Sequence, residues 1–291
     1  MNGLLVLDKP AGMTSHDVVS VLRRATGEKS IGHLGTLDPM ATGVLPLLMG
    51  RCTRLAQFFG QAQKSYTGTM RFGFATDSYD GEGTATSEPL PLTKSLDELC
   101  ELATKFHGVM EQMPPAYSAK KINGVPAYKL ARAGKPVPVK TATIEILNFE
   151  LTALQSDTAT FAMSVSAGGY VRSVAHELGA LAGCGAHLAS LRRTQAGVFT
   201  LADAITLDEM KLLSTKGTLQ QRMPHLRTLL PEIPAVTVDA ETAGRIRNGM
   251  AVNVPEYSTS ERVKIFTNMT DLLAIGKRIA GTLVHPEIVL V

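Results

Sequence analysis

The chain has 291 residues, room for about two domains at ~100–200 residues each, and 44% of them are hydrophobic, so it can bury a sizeable core. No stretch reaches the ~18 unbroken apolar residues of a membrane span. A net charge of +3 is modest, and the three scattered cysteines, Cys52, Cys100 and Cys184, offer neither a disulfide framework nor a CxxC zinc pair.

From the start, "GLLVLDKP" reads as a short buried strand ending at Pro10. It meets Asp8 without a preceding basic stretch, so no signal peptide is expected and the chain reads as cytoplasmic. "TSHDVVSVLRRATG" follows as a helix, with Ser15 as N-cap, Val18, Val19, Leu22 and Ala25 at helical spacing, and Gly27 as the stop. Gly32–Gly50 reads as a loop region, whose apolar run Val44–Met49 contains Pro46. "RCTRLAQFFGQ" reads as a short helix and "KSYTGTMRFGFAT" alternates as a strand. "DSYDGEGTATSEPLPLTK" is a polar loop, and Ser95 and Glu98 then form a capping-box spacing. The Pro- and Gly-rich stretch after Gly108 is extended and basic, with a short helix at Ala127–Ala131. Strands are expected near Thr143–Leu151 and Thr158–Ser166. A helix follows with Val171, Val174, Ala175, Leu178 and Leu181 on one face, and Thr206 and Glu209 mark another capping box. Near Pro231–Pro234 the character changes to a small β-rich appendage, with a helix from Asp239 to Gly249 and three or four short strands.

Charge is unevenly placed. Residues 39–76 hold Arg51, Arg54, Lys64 and Arg71 and no acid; residues 112–144 hold Lys120, Lys121, Lys129, Arg132, Lys135 and Lys140 and no acid. Such blocks point to a polyanion, of which a nucleic-acid backbone is the commonest, with ordinary solvated surface as the alternative.

One carboxylate stands apart. Asp38 lies in "GHLGTLDPMATG", and the next acid is Asp77. On spacing alone, Asp before Pro is a turn or a helix cap. His33 and Asp38 lack a third metal ligand nearby, a glycosidase pair needs a second carboxylate, and a phosphate loop needs GKS or GKT. What remains is a lone aspartate on a loop beside basic segments.

"GHLGTLDPMATGVLPL" resembles the active-site motif of the TruB family, the bacterial tRNA pseudouridine-55 synthases. "LLVLDKPAGMTSHDVV", "KSYTGTMRFGFATDSYDGEG", "QMPPAYSAKKINGVPAYKLAR", "GGYVRSVAHELG" and "ASLRRTQAGVF" resemble further family blocks, in family order over about the first 200 residues. "GTLVHPEIVLV" is a weaker match to the PUA-like appendage of many members. The resemblance implies an α+β fold with a mixed, largely antiparallel central sheet flanked by helices. It implies a catalytic domain over 1–230 and a PUA-like RNA-binding domain over 234–291. The reaction implied is cofactor-free and metal-free isomerisation of a flipped uridine at position 55 in the tRNA T-arm, by a monomer with no membrane association.

Residue by residue, the resemblance makes Asp38 catalytic, as nucleophile or as base. Arg172 is its cationic partner. Tyr66 stacks on the target base and is a candidate to take the C5 proton. Tyr170 and Leu191 line the uracil pocket, and His33 fills the gap in the base stack. Lys120, Lys121, Lys129 and Arg132 contact T-arm phosphates, with Lys9 either joining them or capping a turn. Asp77 matches an acidic loop position. Two departures stand out: Leu34 replaces the Thr usual after the motif histidine, and Ala167-Gly168-Gly169 replaces a more polar turn, which puts RNA contacts there in question. The rival of another class is a non-catalytic RNA-binding protein.

Overall fold

A computed structural model describes residues 1–118, 121–122, 124–138 and 140–290, with the side chains of Lys121, Ile122, Pro126 and Arg132 outside the description. In chain order the elements are β1 (Gly3–Lys9), α1 (Ser15–Thr26), β2 (Ile31–His33), β3 (Thr42–Met49), a 3-10 helix (Gly50–Phe58) and β4 (Lys64–Phe72). Next come α2 (Leu96–Ala103), β5 (Gly108–Gln112), the short pair β6 (Lys121–Ile122) and β7 (Val125–Pro126), α3 (Ala127–Arg132), β8 (Ala142–Gln155) and β9 (Thr158–Val165). Then follow α4 (Val171–Ala182), β10 (Ala186–Ala196), β11 (Phe199–Thr200) and α5 (Leu207–Thr215). The C-terminal part holds β12 (Ala235–Thr237), α6 (Ala240–Arg247), β13 (Val252–Asn253), β14 (Arg262–Phe266), β15 (Leu272–Ala280) and β16 (Leu283–Val289).

Among the described residues, nine strands form one mixed sheet along the path β1-β3-β10-β4-β9-β8-β5, with β2 and β11 at its margin, and five form the C-terminal sheet β12-β14-β15-β16-β13. The large sheet is antiparallel except where β10 runs parallel to β3 at Arg192–Arg193. This is the mixed α+β architecture expected from the sequence, with a β domain at the C-terminus. No helix among the described residues is long and apolar enough to cross a membrane.

The Gly32–Gly50 segment departs from the loop reading. Its second half is β3, between β1 and β10. Leu5, Leu7, Leu45 and Leu47 point into the main core, whereas Leu4, Val6, Val44 and Leu48 point to the other face, where Phe266, Leu272 and Ile275 of the C-terminal sheet cover them. A strand buried on both faces shows a continuous apolar run rather than alternation. Fully burying such a side chain is worth about 1.5–3 kcal/mol. Pro46 is tolerated because its carbonyl accepts from Leu34 N at 2.9 Å. Its donor-less nitrogen therefore faces that same edge, in the gap between β10 at 42–43 and β2 at 47–49.

Three smaller readings also change. Thr14, not Ser15, caps α1, and Asp17 completes the box. "ASLRRTQAGVF", given no element in the sequence reading, is largely the interior strand β10. Leu181 is exposed, and Ala182, four residues after Leu178, takes the buried place. The Ser95–Glu98 box is present as expected.

Candidate active site

Asp38 stands in the connection from β2 to β3. Its carbonyl accepts from Ala41 N at 3.1 Å, so Asp38 and Pro39 open a tight turn, as Asp-Pro favours. Three anchors fix that turn. Leu37 is buried in the core. The Ser15 hydroxyl accepts from Leu37 N at 2.8 Å and donates to Leu37 O at 3.2 Å. Lys9 Nζ donates to the carbonyls of Pro10, Pro39 and Ala41 at 2.8, 3.1 and 2.6 Å.

Lys9 is wholly buried, and that desolvation lowers its pKa to about 8 against the pull of Asp38. Its expected contact with RNA phosphate is thereby corrected: the ammonium is saturated by carbonyls beneath the Asp38 turn, the capping alternative. Lys9→Met should cost about 2–4 kcal/mol by orphaning buried carbonyls. Urea unfolding reads this, and the salt dependence of RNA binding should not change. A slope shallower by about one released ion would restore the phosphate reading.

Arg172 is the second residue of α4. Gln112 holds the entry to that helix, accepting from Tyr170 N at 2.7 Å and donating to Tyr170 O at 3.0 Å. The Arg172 side chain is 5% exposed and meets Asp38 as a fork, Nε to Oδ2 at 2.9 Å and Nη2 to Oδ1 at 3.0 Å. Nη1 donates to Ser78 O at 3.0 Å and Asp80 Oδ2 at 3.3 Å, and Nη2 also to Tyr117 O at 2.9 Å. A planar guanidinium can serve all of these at once, which a lysine cannot.

Asp38 keeps 30% of its side chain exposed, at the meeting of two pockets. One, of about 310 Å3, is lined by Tyr66, Lys64, Tyr170, Leu191 and the turn 167–169, as well as Asp38 and Arg172. The other, of about 630 Å3, shares Asp38 and Arg172 and takes in His33, His16, Asp80 and Tyr128. The expected residues Asp38, Tyr66, Tyr170, Arg172 and Leu191 thus converge on one cavity, with His33 next door. Burial raises the Asp38 pKa above the usual carboxylate value, Arg172 opposes this, and Asp80 adds to it. Burial likewise raises the Tyr66 phenol, with Arg193 opposing, and lowers the half-buried His33 ring, helped by Arg193 and His16.

Of the basic residues expected on RNA, Lys129 is exposed on α3. Lys120 and the side chains of Lys121 and Arg132 lie outside the described residues. Leu34 of the first departure and Gly169 of the second have a packing reason. Leu34 packs against the second core cluster beside Phe58 and Phe59. At Gly169 a Cβ would come within 2.3 Å of Val165 Cγ2, so a side chain there would have to displace Val165.

Two charged groups were missed by the sequence reading. Asp80 is buried and takes the Arg172 contact, whereas Asp77, the acid singled out, accepts from Thr84 N at 2.9 Å within its own loop. Arg193 is wholly buried, donating to Val44 O at 2.7 Å and Gly35 O at 3.1 Å. Nothing local in "DSYDGEG" or "LRRTQ" tells the buried charge from the exposed one.

Were Asp38 to act as an ionised carboxylate, activity would be present above its raised pKa and lost as pH falls through it. Asp80→Asn removes a charge that raises this pKa, and the acid limb of the rate should move to lower pH. The plateau should drop about 10- to 100-fold, the worth of a charged hydrogen bond to Arg172. Single-turnover rates across pH check both signs.

Asp38, forked by the buried Arg172, thus stands at the wall of the cavity lined by Tyr66, Tyr170 and Leu191. A family model described as TruB family pseudouridylate synthase (N terminal domain) matches residues 23–171, and one described as tRNA pseudouridylate synthase B C-terminal domain matches residues 172–233. The tRNA pseudouridine synthase B of Solibacter usitatus is 43% identical over 100% of both chains. That of Pseudomonas paraeruginosa is 40% identical over 95% of this chain and 92% of its own. The chain belongs to the TruB family of pseudouridylate synthases. Its fold is also that of a chain in the structure of an H/ACA RNP bound to a substrate RNA containing 2'-deoxyuridine, with TM-score 0.71 at 24% identity over 99% of this chain and 85% of the other.

Proposed function

We propose that the protein isomerises uridine to pseudouridine at position 55 in the T-arm of tRNA, with Asp38 as the catalytic carboxylate. The observation that carries this is the Asp38–Arg172 fork at the wall of the cavity lined by Tyr66, Tyr170 and Leu191. The N1–C1′ bond breaks, the uracil turns, C5 bonds to C1′, and the proton lost from C5 is balanced by one gained at N1. Asp38 serves by attack at C1′, by attack at C6, or by starting elimination through the 2′ position, and each route needs an ionised, aimed carboxylate. Arg172 supplies both conditions. A target base inside a folded T-arm must leave its stack, at a cost of a few kcal/mol. Stacking on Tyr66 and filling of the gap by the neutral His33 ring offset part of that. Burial raises the Tyr66 phenol and so keeps the stacking ring neutral, and Tyr66 remains the candidate to take the C5 proton.

Lys120, Lys121, Lys129 and Arg132 form the phosphate-facing side of this reading, and their affinity should weaken with salt. Residues 1–230 act as the catalytic unit and 234–291 as a PUA-like RNA-binding unit of a monomeric cytoplasmic enzyme that needs no cofactor. The test is pseudouridine mapping in T-arm RNA after incubation with the protein. Tight binding without any pseudouridine would favour the rival reading, a tRNA-binding protein without catalysis.

A further inference from the structure

We propose that the stacked rings of Tyr79 and His176 are a positioning device that sets the Asp80–Arg172 arm and through it the aim of Asp38. The proposal rests on the catalytic reading of Asp38 and Arg172 given above.

The loop 76–84 is the receptor for the far side of the Arg172 guanidinium. Ser78 offers its carbonyl, and Asp80 its carboxylate. Asp80 is itself held: Oδ1 accepts from Ser78 Oγ at 2.6 Å and Glu82 N at 3.1 Å, and its carbonyl accepts from Thr76 Oγ1 at 2.7 Å. Tyr79 lies between the two residues that touch Arg172. Its φ is +66°, a left-handed conformation that a bulky residue adopts only when its surroundings impose it.

Two contacts impose it. One is to β10, where Leu188 N donates to Tyr79 O at 2.9 Å and Gly81 N donates to Leu188 O at 3.0 Å. The other is the stack of the Tyr79 ring on His176, with centroids 3.8 Å apart and planes 15° from parallel. His176 is four residues after Arg172 on α4, so both side chains leave the helix on one face. Helix and loop are therefore joined twice side by side, once by the ion pair and once by the rings.

The chemistry of His176 fits a flat spacer rather than a proton carrier. Its Nδ1 is buried and has no hydrogen-bond partner among the described residues. Burial lowers its pKa, which keeps the ring neutral beside Arg172. What the ring supplies is a face for Tyr79. Neither ring lines either of the pockets described above, so the stack acts through Asp80 and Arg172 and not on the base.

The test compares full-length His176→Ala, His176→Phe and Asp80→Asn, with the His176→Ala/Asp80→Asn double variant, in single-turnover tritium release from C5-labelled tRNA at saturating enzyme. The expected result is a rate about three- to tenfold lower for His176→Ala with unchanged tRNA affinity. His176→Phe, which keeps a ring face, should restore most of it. In the Asp80→Asn background His176→Ala should add little, because the arm it positions is already cut. The inference is overturned if His176→Ala stays within twofold of wild type, if the Phe variant is as slow as the Ala variant, or if the two losses multiply in full. These are ratios between active proteins, so they fail separately from the catalytic reading, which fails if the wild type itself releases no tritium.

Discussion

Asp38→Asn is expected to slow single-turnover isomerisation at least ~10^4-fold while tRNA affinity stays within about threefold. Asn keeps the shape but can neither attack carbon nor accept a proton as a carboxylate does. The pocket should stay assembled, because Arg172 retains Asp80, Ser78 O and Tyr117 O. Binding should not weaken, since the change removes a negative charge from a surface that faces phosphates. Tritium release gives the rate, and filter binding the affinity. A rate within tenfold of wild type would remove Asp38 from the chemistry. A parallel loss of affinity would make its role one of binding.

Arg172→Ala should lose both activity and stability. It leaves Asp38 and the buried Asp80 without their shared cation and strips a donor from two carbonyls. Breaking a buried pair from one side costs about 3–5 kcal/mol. Arg172 is also the main charge opposing the desolvation of Asp38. Without it the Asp38 pKa climbs further, the ionised fraction at neutral pH falls, and the acid limb of activity moves to higher pH. The rate should drop about 10^3-fold or more, the combined effect of lost charge and lost aim. Arg172→Lys should recover part of the stability, but one ammonium cannot hold both carboxylates in the fork geometry, so its rate should stay about 10^2-fold down. Urea unfolding with a pH–rate profile reads all of this. An Ala variant as stable as wild type, or a Lys variant as fast, would mean that the fork is incidental.

The resemblance of "TLDP", "KSY", "GGYVR" and "ASL" to family blocks pointed to Asp38, Tyr66, Tyr170, Arg172 and Leu191, and the fold brings these five residues to one cavity. What the blocks do not encode is burial. Lys9 and Lys129 look alike in sequence, yet one ends beneath the Asp38 turn with three carbonyls and the other faces outward. Asp77 and Asp80 are three residues apart, and only packing against Arg172 tells them apart. The fold shows the same limit. Amphipathic elements such as α1 and α4 carry their period in one chain segment. The strand β3 is covered by the main core on one face and the C-terminal sheet on the other, so it shows no period at all. The tight turn at Asp38 was readable from Asp-Pro, but not its three anchors, of which Ser15 and Lys9 come from elements more than twenty residues away.

The central claim, that this chain isomerises a T-arm uridine, is tested most directly by the wild-type protein on a T-arm hairpin tritiated at C5 of uridine 55. Release of one tritium per hairpin, with pseudouridine appearing at that position and none in a hairpin carrying cytidine there, is the predicted result. No release from this hairpin or from full-length tRNA, despite measurable binding, would contradict it.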